Sequence, residues 1–177
     1  MIIETPNGKV VLAESYPYGG DRAPSLMGQP YNDIEKYRTT FNYACPIKSM
    51  VIWAGVVVDG IEVTYNLSDG STATEIHGAR SGGKNEIPLL PTERIMEVKG
   101  LSSFSGARGT DWGVQVQELS MKIYNSANGC FRDTKTFGTP NENYTPESRK
   151  DICACGPLVG FSGVANNNLP MGKSRLI

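Results

Sequence analysis

Between Ile61 and Tyr65 the chain reads Ile-Glu-Val-Thr-Tyr, a strict alternation of apolar and polar side chains. Successive residues of a strand point to opposite faces, so a period of two fits a half-buried strand and no helix. This segment begins at Val56-Val57-Val58-Asp59-Gly60 and follows another β-rich run, residues 47–53, that stops at Ala54-Gly55. The pattern recurs in residues 113–124, where Val114, Val116, Leu119, Met121 and Ile123 are mostly spaced by two. Shorter strands are expected at 72–77, 86–90, 94–98 and 157–162, with a last short element near Met171. Glycine marks the breaks between them. Ser68-Asp69-Gly70-Ser71 is an Asp-Gly hairpin turn, and Ala127-Asn128-Gly129 is a second turn. Residues 78–83 and 99–109 read as Gly-rich loops, and 137–150 as a long polar loop. The best helical candidate, 31–37, is barely two turns long and lies in a polar segment spanning 21–40. Many short strands separated by glycine turns predict an all-β sandwich, barrel or prism. A single domain over residues 1–177 is expected.

Composition then removes whole classes of function. Seventeen Lys and Arg balance 18 Asp and Glu, for a net charge of −1. Without a basic run there is no surface for a polyanion, so no nucleic-acid partner is expected. A membrane-crossing helix needs about 20 apolar residues, and the longest apolar stretch, 50–58, is far shorter. The opening Met-Ile-Ile-Glu-Thr-Pro-Asn-Gly lacks the basic and apolar regions of a secretory signal. A cytoplasmic location, or release without such a signal, is therefore expected. On that reading Cys45, Cys130, Cys153 and Cys155 are reduced structural thiols, and the sequons at Asn66 and Asn143 are chance matches. Cys153 and Cys155, two apart, share one face of a strand. No CxxC pair occurs and His77 is the lone histidine, so neither a metal nor another cofactor is expected. His77 is read as a hydrogen-bonded anchor for the loop that follows. Only His77 could act as base for a serine nucleophile, and no Gly-x-Ser-x-Gly elbow surrounds a serine. Residues 78–84 lack phosphate-loop spacing. Trp53 is expected in the core; Trp112, beside a turn, is read as a partly core residue at a strand edge, with stacking on a ligand face as the alternative.

Several motifs in a fixed order resemble one family. Tyr18-Gly19-Gly20 is similar to an aromatic-Gly-Gly opening, and Phe41-Asn42-Tyr43 to an aromatic turn. Residues 47–55 and 58–65 resemble the third and fourth strands of jacalin-related lectins. His77-Gly78-Ala79-Arg80-Ser81-Gly82-Gly83 is similar to their His-Gly-Gly-x-Gly-Gly loop, with Ala79-Arg80 breaking the first glycine pair. Ile87-Pro88-Leu89, Glu93-Arg94-Ile95, Val98-Lys99-Gly100, residues 119–123, Phe137-Gly138-Thr139-Pro140 and residues 158–163 continue in family order. The resemblance covers about 16–172. It implies a β-prism of three four-stranded Greek-key sheets about a pseudo-threefold axis, and carbohydrate binding without catalysis.

The resemblance also implies where a sugar would sit. A Gly-x-x-x-Asp loop places one carboxylate against two vicinal hydroxyls, whose donors and acceptors form a fixed fork. Glycines let the backbone approach without a Cβ. In the last loop, Gly163-Val164-Ala165-Asn166-Asn167-Asn168-Leu169-Pro170, proline stands where that aspartate belongs. Asn166, Asn167 and Asn168 are the remaining polar candidates there, with Gly19, Gly20 and Asp21 from the first loop. The added segment 21–40 offers Asp21, Tyr31 or Asp33 as replacement ligands, or else covers the site. The signature survives in Gly55-Val56-Val57-Val58-Asp59, with Gly82 and Gly83 as neighbouring amide donors, although Asp59 could equally cap its own turn. The expected partners are glycans of the mannose or galactose type, bound by a dimer or larger homo-oligomer. The alternative is a β-prism module without sugar binding that recognises a protein or membrane-surface target. The tyrosines at 16, 18, 31 and 37 fit either a binding surface or strand-edge packing.

Overall fold

The computed structural model describes residues 2–5, 8–15, 17–18, 28–104, 113–139, 149–168 and 174–176. Their strands are β1 (Ile2–Thr5), β2 (Gly8–Val11), β3 (Gln29–Asn32), β4 (Ile47–Ala54), β5 (Val58–Asn66), β6 (Thr72–Gly78) and β7 (Gly83–Pro88). They continue with β8 (Glu93–Phe104), β9 (Val114–Asn125), β10 (Cys130–Asp133), β11 (Lys150–Cys155), β12 (Phe161–Ala165) and β13 (Ser174–Leu176). The helix α1 (Asp33–Tyr37) has five residues.

Three sheets form the body. The first has the order β6-β5-β4-β7 and the second β10-β9-β8-β11, so each brings a fourth strand back beside its first. That is the Greek-key order, repeated. The third sheet, β13-β12-β3, joins strands from the two ends of the chain and carries three strands among the described residues, where four were expected. β1 and β2 form a separate ribbon. One core unites the sheets: Met50, Ile52, Ile61, Val63 and Tyr65 from the first, Ile95, Val98, Met121 and Ile123 from the second, and Phe161 and Leu176 from the third.

β5 follows its sequence pattern closely, with Ile61, Val63 and Tyr65 fully buried. Its turn to β6 is the expected one: Asp69 Oδ1 accepts from Ser71 N at 2.9 Å, and Gly70 has φ +85°. The turn at 127–129 connects β9 to β10, with Gly129 at φ +71°. Elsewhere bulges defeat the period of two. In β4 the register slips between Ile47 and Ser49, which turns both Ile47 and Met50 inward. In β8 it slips between Ile95 and Glu97, which turns both Ile95 and Val98 inward, and again between Leu101 and Ser102.

Those slips account for the largest correction. Residues 99–104, expected in a Gly/Ser-rich loop, continue β8 as a strand of 12 residues. Gly100, which suggested a loop, lies where a Cβ would come within 2.0 Å of Glu118 O on β9; close strand approach requires it. No sequence pattern marks β1, β2 or β10, and β11 is marked only by the shared face of Cys153 and Cys155. β7 begins at Gly83 rather than 86, and the helix begins at Asp33 because Tyr31 and Asn32 pair in β3. Asn32 caps it, accepting from Glu35 N at 3.1 Å. The last strand is Ser174–Leu176, while Met171 lies outside the described residues. Trp53 is half-buried on β4 rather than in the core.

Glu93, at the start of β8, clamps the first two sheets together. Its carboxylate is buried and accepts from Arg132 Nε at 2.8 Å and Nη2 at 2.9 Å, and from Leu90 N at 3.0 Å. Arg132, on β10, also donates to Pro88 O on β7 at 3.0 Å. The Arg132 hydrogen bonds hold the Glu93 carboxyl below its ordinary value of 4.5. A depressed folded value contributes stability that is present above the unfolded value and lost as pH falls through the folded one. Glu93→Gln is expected to cost about 2 kcal/mol at neutral pH. In urea unfolding followed by circular dichroism, the gap between wild type and variant should close as pH falls below 4.5.

Candidate functional site

The first sheet brings the surviving Gly-x-x-x-Asp signature together with the Gly-rich loop. Ala54 at the end of β4 pairs with Gly83 at the start of β7. The β4–β5 loop, residues 55–57, therefore lies beside the β6–β7 loop, residues 79–82. Gly55 N donates to Val57 O at 3.0 Å, closing the first loop, and Ala79 N donates to Asp59 O at 2.9 Å, fastening the second. The Gly55 N–H and the Ser81 side chain stand close enough to the Asp59 carboxylate to favour its charged form.

Gly82 makes that approach possible. It has φ +73°, and a Cβ there would fall 2.6 Å from Ala54 C and 2.7 Å from Asp59 Oδ2. No other residue fits. Partial burial pushes the Asp59 carboxyl above its ordinary 3.8, while the Ser81 and Gly55 hydrogen bonds hold it back. A carboxylate has about four lone-pair positions, so acceptor capacity remains here for an incoming hydroxyl. Gly55, Val56, Ser81, Gly82 and Gly83 are exposed around it. Thr139 N donates to Val56 O at 3.0 Å, which places the start of the 137–150 segment against the same loop. Arg80 is turned away, donating to Glu62 at 2.7 Å.

The last-loop candidates form a second, separate group on the third sheet. Asn166 Oδ1 accepts from Asn168 N at 3.0 Å, so its acceptor is used in its own turn. Asn167 and Asn168 are exposed. Gly28, unrecognised in the sequence, is pressed against this loop: a Cβ there would lie 1.7 Å from Ala165 O and 2.4 Å from Asn166 N. Its one signal is a glycine next to the Gln-Pro that opens β3. Gly19, Gly20, Asp21, Trp112 and Pro170 lie outside the described residues.

Asp33 is not a sugar ligand. It is buried, with Oδ1 and Oδ2 at 3.0 and 2.9 Å from His77 Nε2, and Oδ2 accepts from Tyr65 Oη at 2.6 Å. Tyr31 lies stacked on His77, ring centroids 3.6 Å apart. Burial, then the Asp33 charge, pushes the Tyr65 phenol well above 10, so it remains a donor to the carboxylate. His77 is thus a hydrogen-bonded anchor as expected, but its partner is α1 rather than its own loop. Tyr37 and Lys36 add hydrogen bonds from α1 to Glu75 on β6. Tyr18 donates to Cys153 O at 3.0 Å. These tyrosines pack strands and helix.

The model of the jacalin-like lectin domain matches residues 17–170. The chain belongs to this lectin family. No curated protein matches it by sequence. Among solved structures it is similar to a mannose-binding jacalin-related lectin from Ananas comosus, with 18% identity, a TM-score of 0.64, and coverage of 93% of this chain and 95% of that one. Malaysian banana lectin gives 21% identity, a TM-score of 0.62, and 94% and 99% coverage. Artocarpin in complex with mannopentose gives 19% identity, a TM-score of 0.64, and 94% and 97% coverage. These likenesses carry the prism fold.

Removing the Asp33 carboxylate leaves His77 and Tyr65 buried without their partner. Asp33→Ala is expected to lose about 3–5 kcal/mol in urea unfolding, and Asp33→Asn, which retains an acceptor, distinctly less.

Proposed function

We propose that this protein is a non-catalytic lectin that binds mannose-type glycans through the loop pair 55–59 and 79–83. The observation that carries the reading is the Asp59 carboxylate, held between Gly55 and Gly82 with exposed backbone around it. Vicinal hydroxyls of a sugar ring present a donor fork that a carboxylate meets with two charge-assisted hydrogen bonds. Five of the similar structures are described as mannose-binding, mannose-specific or as complexes with mannose or its oligosaccharides, which favours mannose over galactose. The family assignment, together with a lone histidine engaged by a buried aspartate, supports binding without chemistry.

The last loop is the weaker candidate. Its acceptor at Asn166 is spent on its own turn, and proline occupies the family carboxylate position. Asn167 and Asn168, with Gly19, Gly20 and Asp21, would then contribute contacts of lower affinity, a neutral amide being a poorer acceptor than a carboxylate. We assign the whole of residues 1–177 to one such domain, with 21–40 as an added segment. Pairing of protomers would multiply weak sites by avidity.

A glycan array followed by calorimetry with a mannose oligosaccharide tests the assignment. Asp59→Ala should weaken binding by about tenfold or more, and the double change Asn167→Ala with Asn168→Ala by less. Binding requires the ionised Asp59, so affinity should be full at neutral pH and lost as pH falls through a value above the ordinary 3.8. Silence across a broad array would overturn the lectin reading in favour of a module that recognises a protein or membrane surface.

A further inference from the structure

On the second sheet, far in sequence from the loops just described, two thiols and a carboxylate meet on the outer face. β11 pairs with β8 so that Cys155 lies opposite Glu97 and Cys153 opposite Lys99. Ile152 is buried and Ala154 packs against the core, which turns both cysteines outward. Glu97 shares that face because the bulge after Ile95 shifts β8 by one residue, leaving Val98 to the core. The two Sγ atoms and a Glu97 carboxylate oxygen all lie within 4.8 Å of one another. Cys155 Sγ donates to Glu97 Oε1 at 3.7 Å. Both cysteines are free and exposed.

We propose that Cys153, Cys155 and Glu97 form a surface site for one thiophilic divalent cation, with Zn²⁺ as the best fit. Thiolates are soft ligands that select zinc over calcium or magnesium, and Zn²⁺ accepts a tetrahedron of two sulfurs, one carboxylate oxygen and a water. The existing geometry is close: Zn–S bonds of about 2.3 Å place two sulfurs under about 4 Å apart, which modest side-chain rotations reach. Binding exchanges the two thiol protons, released to solvent, for two Zn–S bonds, with no change in oxidation state. Two thiolates and one carboxylate leave the occupied site with one excess negative charge. Lys99 Nζ, 3.0 Å from Glu97 Oε1, offsets it and can donate to the ligating carboxylate. Lys122, paired with Glu97 across β8–β9, supplies a second nearby positive charge. Neither the short spacing of the cysteines nor the single histidine exposes this set; the carboxylate arrives only through strand pairing.

The test is titration of the reduced full-length protein with Zn²⁺ against a chromophoric chelator, and anaerobically with Co²⁺ as a spectroscopic stand-in. One equivalent should bind, and Co²⁺ should give a sulfur-to-metal charge-transfer band. Cys153→Ser and Cys155→Ser should each abolish the band. Glu97→Gln should weaken Zn²⁺ binding by about ten- to a hundredfold. Changing Cys45 and Cys130 together to Ser should leave uptake unchanged, with circular dichroism confirming that each variant is folded. Uptake that is weak and equal in all variants would mean an adventitious ion only and would sink the proposal. So would uptake that follows Cys45 or Cys130, or reduced protein that closes a Cys153–Cys155 disulfide in air yet takes up no metal when kept reduced.

Discussion

Everything in this prism depends on which face each strand residue takes, and the register slips in the first two sheets make that choice. A strand alternates by rule, so a single extra residue transfers every side chain beyond it to the opposite face. In β4 the slip after Ile47 lets Ile47 and Met50 both enter the core. In β8 the slip after Ile95 keeps Ile95 and Val98 both inward, three residues apart. Without it, Glu97 would point into the core and Val98 into solvent. The core and the outer-face chemistry are therefore set by the same backbone irregularities.

This explains what was legible in the amino-acid sequence. β5 and the Asp69-Gly70 turn were plain because local pattern and tertiary facing agree there. β9 was readable for the same reason, its buried Met121 and Ile123 keeping the period of two. The end of β8 was not, since bulges broke the period and Gly100 resembled a loop residue while in fact allowing β9 to approach. β10 is exposed along its whole length, so no apolar pattern could betray it. The family likeness rested on loop glycines, which is also why it located Gly55, Asp59, Gly82 and Gly83 together: at Gly82 the two loops approach so closely that no other residue fits. Gly28 escaped because its close neighbour, Ala165, is distant in sequence.

Cysteine usage was the weakest inference. The four thiols are free, as expected of a reduced chain, but Cys130, Cys153 and Cys155 are exposed and pack no core. Residue type alone gives their chemistry; only the pairing of β11 with β8 gives them a carboxylate neighbour.

Asp33 shows how a plausible ligand becomes a structural residue. A carboxylate near a sugar loop could be expected to face solvent, where ionisation carries no desolvation cost. Burial costs several kcal/mol unless partners compensate, and Asp33 has two: His77 and Tyr65 reach it from β6 and β5, with Tyr31 covering the imidazole. Since β3 is paired to β12, this cluster ties α1 to the first and third sheets at once. The same segment presses Gly28 against Ala165 and Asn166. The anchoring that removes Asp33 from solvent thus also fixes the approach of Gly28 to the last loop. Any contact made there depends on a hydrogen-bond cluster that never touches the ligand, whereas the loops around Asp59 are positioned by the first sheet and by Thr139, whose N–H reaches Val56 O.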